Sequence, residues 1–155
     1  MKVAAVQLTS TGNITENQEL ALAKIREAAG NGARLIVLPE ATAQNFRSGR
    51  LDEQAQTLEG PFATAIQALA EELEVTVVAG MFCPADTVER EGKTINRVTN
   101  TALIAGPGVL GGYDKIHTYD AFDYRESDTV LAGESLVAFD VDDLIVGVAT
   151  CYDIR

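Results

Sequence analysis

The sequence predicts an α/β fold: a mixed sheet with helices on one face. Three observations carry this. Strand-sized apolar runs alternate with helix-period segments as far as Ala79, short turns join apolar strands in the second half, and no linker, repeat or low-complexity tract divides the 155 residues. Lys2 to Leu8 reads as a buried strand ending at the turn-rich segment Thr9 to Asn13. Thr15 with Gln18 has capping-box spacing, and Ala21, Leu22, Ile25, Ala28 and Ala29 follow a helical period until Gly30-Asn31-Gly32. Leu35 to Leu38 is a second strand, halted by Pro39. Strand, helix and strand in about 40 residues make a βαβ unit with a parallel pair.

Ala41 to Glu59 is polar and irregular, a loop over one end of the sheet. Gly60-Pro61 opens a second helix, with proline in its favoured first position and Phe62, Ala65, Ile66, Leu69 and Leu73 striping one face. Val75 to Ala79 is a third strand. Val98 to Ala105 and Val109 to Tyr113 flank a Gly-Pro-Gly turn and are expected to pair antiparallel, as are Leu136 to Val141 and Leu144 to Thr150 around Asp142-Asp143. The last strand delivers Cys151, yet the loop and covering helix that normally follow such a strand are missing before Arg155. The expectation is the front part of a larger fold, or a fold completed by another polypeptide.

Twelve Lys and Arg against 23 Asp and Glu leave a net charge of −11. Asp114 to Asp143 holds nine acids and two bases. Nucleic-acid binding needs clustered cations, so it is excluded as an expectation. No apolar run approaches the roughly 20 residues of a membrane span, and Met1-Lys2 leads straight into a strand with no secretory leader. Cys83 and Cys151 form neither a CxxC pair nor a disulfide framework, which points to a reducing cytoplasm. No His/Cys cluster has metal-ligand spacing, so no metal is expected.

Three reactive side chains follow three strands: Glu40 after LIVLP, Lys115 after VLGGYD and Cys151 after LIVGVAT. In open α/β sheets, ligand sites collect beyond the carboxyl ends of strands. A carboxylate, an ammonium and a thiol converging there form an acyl-transfer site. The thiol attacks, the glutamate takes its proton, and the lysine stabilises first the thiolate and then the oxyanion, with the backbone N–H of Tyr152 as a second donor. Taken singly, each residue has an ordinary reading: a packed cysteine, a loop carboxylate, a solvated lysine. His117, the only histidine, invites a Cys/His dyad but reads better as a structural or loop residue. Cys83 is assigned no role. Gly106 to Gly111 matches G-x-G-x-x-G, but Gly112-Tyr113-Asp114-Lys115 follows without a helical period, so a hairpin is preferred to a dinucleotide loop.

Taken together, Val3-Ala4-Ala5-Val6-Gln7-Leu8, Leu38-Pro39-Glu40, Tyr113-Asp114-Lys115-Ile116-His117 and Cys151-Tyr152-Asp153-Ile154-Arg155 resemble the ordered signatures of the nitrilase superfamily of carbon–nitrogen hydrolases. Asn100-Thr101-Ala102 resembles that family's strand before the lysine segment. The resemblance covers the whole chain in order and overrides the single-residue readings. It implies a four-layer αββα sandwich and a cofactor-free Glu-Lys-Cys triad: Glu40 as general base, Lys115 as oxyanion stabiliser, Cys151 as nucleophile. It also implies a second glutamate between the Lys and Cys segments, for which Glu126 is the candidate and Asp123 and Asp128 are competitors. Residues 1–155 would then be the N-terminal portion of one carbon–nitrogen hydrolase domain. Pocket residues and dimer contacts would lie beyond it, and activity of the isolated chain would be in doubt. The complete protein would be a homo-oligomer.

The expected reaction is hydrolysis of a small carboxamide to acid and ammonia, since His117-Thr118-Tyr119-Asp120 resembles the omega-amidase-like branch. Nitrile or N-carbamoyl amino acid hydrolysis are the alternatives within the family. A non-catalytic nucleotide-binding module using Gly106 to Gly112, with a buried Cys151, is the rival outside it. Alkylation of Cys151 that falls on Glu40→Gln is the expected sign of the hydrolase.

Overall fold

A computed structural model describes residues 1–122 and 124–154. Asp123 and Arg155, both named above, lie outside the described residues. The elements in chain order are β1 (Val3–Ala5), α1 (Ile14–Gly30), β2 (Leu35–Val37), α2 (Pro61–Glu72), β3 (Thr76–Arg90), β4 (Lys93–Gly106), β5 (Val109–Asp114), β6 (Asp120–Ala121), β7 (Tyr124–Arg125), β8 (Val130–Leu131), β9 (Ala138–Val141) and β10 (Leu144–Gly147). Short 3-10 turns cover Glu126–Asp128 and Cys151–Ile154.

The main sheet runs β1-β2-β3-β4-β5. Its first three strands are parallel, with Ala4 beside Ile36 and Ile36 beside Val77, and β4 is antiparallel to both β3 and β5. β8 pairs in parallel with β4 at Val98 and Thr99. The Gly106-to-Val109 connection is a tight hairpin, and no helix begins there. The turn needed to hold a dinucleotide is therefore not formed.

Alternation along the strands sorts the two faces. Ile36, Val77, Ala79, Leu103 and Ala105 face α1 and α2, packing with Ala21, Ile25, Phe62, Ile66 and Leu69. Leu35, Val78, Ala102, Ile104 and Tyr113 face the other way, against Phe139 and Val141 of the β9–β10 hairpin. The result is a helix layer, a main sheet and the start of a second sheet. Because the period is two, Asn100 falls on the hairpin side with Ala102 and Ile104, and Lys115 falls there with Tyr113. The helices cover one face, and the reactive side chains collect on the other.

Two expectations are corrected. The cap of α1 is Asn13, not Thr15: its Oδ1 accepts from the backbone N–H groups of Thr15 (2.9 Å) and Glu16 (3.3 Å). Asn is as good a cap as Thr, and its position one residue outside the helix decides the matter. Strands β3 and β4 also run far past the expected ends, pairing out to Arg90 with Lys93. Hydrophobicity marks only their inner halves. The outer ladder pairs polar residues such as Thr87 with Asn96 and Glu89 with Thr94, which a core pattern cannot reveal.

The segment after β2 is held by close packing against β3. Gly80 donates its N–H to Pro39 (3.1 Å), and its carbonyl accepts from Ala43 (2.9 Å). A Cβ at Gly80 would strike the Ala41 backbone and come within 2.7 Å of the Pro39 carbonyl. Gly80→Ala is therefore expected to cost about 1–3 kcal/mol by overpacking. It should also displace Glu40. A lower urea midpoint at unchanged slope is the check.

Candidate active site

Glu40, Lys115 and Glu126 come from three separate segments and share one hydrogen-bonded cluster. The Lys115 ammonium, 2% exposed, donates to Glu126 Oε2 at 2.9 Å and to Glu40 Oε1 at 3.1 Å. Asn100 Nδ2 bridges the same two acids, at 2.7 Å to Glu40 Oε1 and 3.1 Å to Glu126 Oε1. The Tyr119 N–H completes the shell of Glu126 by donating to Oε2 at 2.7 Å. A buried carboxylate is tolerable only with such partners, and Glu126 has three donors. The competitor Asp128 instead pairs with Arg90 on the exposed surface.

Local sequence explains each placement. Pro39 ends β2, and a left-handed turn follows at Ala41 (φ 56°). Ser10 donates to the Ala41 carbonyl (2.9 Å) and buried Asn17 to that of Ala43 (2.9 Å), so α1 and the β1 loop pin the glutamate turn. Lys115 directly follows β5, with its own N–H bonded to the Asn100 carbonyl at 2.9 Å. Cys151 opens a 3-10 turn after β10 with φ 49°, a second non-glycine residue in the left-handed region.

The electrostatics are directional. Burial pulls the Lys115 ammonium toward deprotonation, but the Glu126 hydrogen bond and the charges of Glu40 and Glu126 outweigh it and raise its pKa. The Cys151 thiol is pushed above its ordinary value, first by partial burial, then by the charge of Glu40 and its hydrogen bond to that carboxylate. Lys115 pulls the other way. Burial and the Glu40 charge therefore both favour the protonated thiol. This reverses one expectation: removing the Glu40 charge should speed alkylation of Cys151, not slow it.

Cys151 is exposed, which contradicts the buried thiol of the nucleotide-binding alternative. It opens onto a cleft of about 410 Å³ lined by Glu40, Glu126, Phe46, Arg47, Tyr119 and Tyr124, among others. That volume suits a small molecule. The Tyr152 ring packs edge-on against Tyr119, with centroids 5.4 Å apart. His117 bonds Asp153 through its backbone N–H and places its ring nitrogen Nδ1 beside the same carboxylate. Cys83 lies away from the cluster, beside Thr99, Thr101 and Asp114. Among the described residues, no group of three or more His, Cys, Asp or Glu could hold a metal ion, and no helix is long and apolar enough to cross a membrane.

Sequence reasoning did not single out two side chains as site residues. Asn100 was noted only as part of a strand, although an uncharged amide is the group that can donate to two carboxylates at once. Asp153 was noted only as part of a motif. It accepts from three donors and lies beside the His117 ring nitrogen, and no sequence pattern discloses such convergence.

The sequence profile of the family described as carbon-nitrogen hydrolase matches residues 2–155. A hydrolase of Mycobacterium tuberculosis is 41% identical over 160 residues, covering 100% of this chain and 54% of that protein. A deaminated glutathione amidase of Synechocystis is 35% identical over 160 residues, covering 98% and 57%. In fold, the chain resembles the crystal structure of XC1258 from Xanthomonas campestris, a CN-hydrolase superfamily protein with an arsenic adduct in its active site. The TM-score is 0.80 at 24% identity, over 99% of this chain and 54% of that one. The chain thus spans about half the length of the relatives it matches. With the family profile running from Lys2 to its last residue, this chain belongs to the carbon-nitrogen hydrolase family.

Proposed function

We propose that Cys151, Glu40 and Lys115 hydrolyse a small carboxamide to a carboxylic acid and ammonia through a thioester on Cys151. The observation that carries this reading is the bonding of Lys115. An ammonium has three protons, and among the described residues Glu40 and Glu126 accept two of them, so the third can serve an oxyanion. Both hydrogen bonds that Glu40 accepts from Asn100 and Lys115 fall on Oε1, so Oε2 remains for the thiol proton.

The chemistry then balances. Cys151 Sγ attacks the amide carbon as its proton passes to Glu40, and the carbonyl oxygen becomes an oxyanion. Lys115 Nζ and the Tyr152 N–H stabilise that charge; the first N–H groups of a helical turn have no partner within it. The oxyanion collapses, the C–N bond breaks, and Glu40 returns the proton to the departing ammonia. Water, deprotonated by Glu40, attacks the thioester, and the acid leaves as the thiol is restored. Glu126 and Asn100 are positioning residues, since they act through Lys115 and Glu40.

A carboxamide is favoured over a nitrile or an N-carbamoyl compound because a relative aligned with 98% of this chain is named an amidase. The test is acid-quench mass spectrometry of the Cys151 peptide after incubation with a panel of small amides, with ammonia measured in parallel. An acyl mass on Cys151 together with ammonia is expected. Neither signal across the panel would overturn the reading.

A further inference from the structure

We infer that Asp153 is a positioning residue that holds the Cys151 turn against the end of β5, next to Lys115. The carboxylate is 5% exposed and gathers four groups from both sides of the joint. From the β5 side, the Tyr113 hydroxyl donates to Oδ2 at 2.6 Å and the His117 N–H to Oδ1 at 2.8 Å. The His117 ring nitrogen Nδ1 also lies 3.1 Å from Oδ1. From the Cys151 side, the Thr150 N–H donates to Oδ2 at 2.9 Å, while the Asp153 N–H returns a bond to the Thr150 carbonyl at 3.0 Å.

That reciprocal pair closes a loop of four residues around Cys151. The loop carries the left-handed φ of 49° at Cys151, a conformation that a side-chain-bearing residue keeps only when its surroundings impose it. Oδ2 is the hinge pin, because it holds Thr150 and Tyr113 together. Tyr113 is itself buried in the sheet, two residues before Lys115 on the same face. Asp153 therefore sets the separation between the sulfur and the ammonium without touching either. The donors outweigh the cost of burial and keep this carboxyl below the usual range, so it is ionised at neutral pH.

The inference rests on the reading of Cys151 as a nucleophile, and the test has one arm independent of it. Asp153→Ala, Asp153→Asn and Tyr113→Phe are compared for amide turnover. They are also compared for the pH profile of iodoacetamide labelling at Cys151, read by peptide mass with Cys83 as the internal control. For Asp153→Ala, kcat should fall about 10- to 100-fold with KM within about twofold, as a misplacement near 1 Å does. The Cys151 labelling profile should move to lower pH as the thiol leaves Glu40, and that of Cys83 should not move. Asp153→Asn keeps the acceptor for His117 but opposes an N–H to that of Thr150, so it should recover only part of the loss. Tyr113→Phe removes a single tie and should shift both readouts in the same direction, by about two- to fivefold. If Asp153→Ala does not fold, Tyr113→Phe decides. Wild-type kcat and labelling in a folded Asp153→Ala, or in Tyr113→Phe, would overturn the inference. Absence of turnover in every form would count against the hydrolase reading alone, since the labelling arm still decides the role of Asp153.

Discussion

Lys115→Met is expected to lower activity and stability together, with the largest stability loss in the molecule. Losing an oxyanion donor costs about 10²- to 10³-fold in kcat. The structural loss is separate: two carboxylates bonded to one 2%-exposed ammonium are left facing each other. Breaking a buried ion pair from one side costs about 3–5 kcal/mol, because the remaining charge has no partner. At this chain length, that lowers Tm by about 6–20 °C. Adding Glu126→Gln to Lys115→Met should restore part of the Tm and none of the kcat, which separates the two losses. The pH dependence has a definite sign. The folded pKa of Lys115 is raised, so its contribution is fully present below the ordinary lysine value and lost only as pH rises through the folded one. A wild-type advantage over Lys115→Met that disappears already below the ordinary lysine pKa would contradict this account.

Glu40→Gln should move two measurements in opposite directions. Turnover should fall about 10²- to 10⁴-fold, the range for loss of a positioned general base. Iodoacetamide labelling of Cys151 near neutral pH should rise. The carboxylate raises the thiol pKa by its charge and its hydrogen bond, and glutamine removes the charge while the pull of Lys115 remains. A lower pKa yields more thiolate, and the accompanying loss of intrinsic nucleophilicity is smaller than that gain. A cysteine activated simply by standing as a thiolate would behave differently, losing labelling and turnover together. Parallel decline of both would show that Glu40 does not hold the thiol proton.

Much of this site was legible in the order of residues. Glu40, Lys115 and Cys151 each follow an apolar strand, and strand ends are where a sheet delivers side chains to a shared cleft. Glu126 was recognisable through family resemblance and is distinguished from Asp128 by its burial and its bonds to Lys115 and Asn100, which depend on contacts remote in sequence. The long outer ladder of β3 and β4 was hidden because polar strands carry no core pattern. Asn13 as the cap of α1 was missed because an equally good spacing lay two residues further on.

The sequence by itself determined the layer plan and the identity of the reactive groups, since apolar period and chemical type are local properties of the chain. Only the tertiary structure decided that Glu40 restrains the Cys151 proton, that Asn100 spans two acids, and that Asp153 ties Thr150 to Tyr113. Each depends on distances between segments 26 to 60 residues apart for Asn100 and 40 for Asp153 with Tyr113. Hydrogen bonds and charge effects of this kind fall away within a few ångströms, so they exist only once the sheet register has brought those segments together.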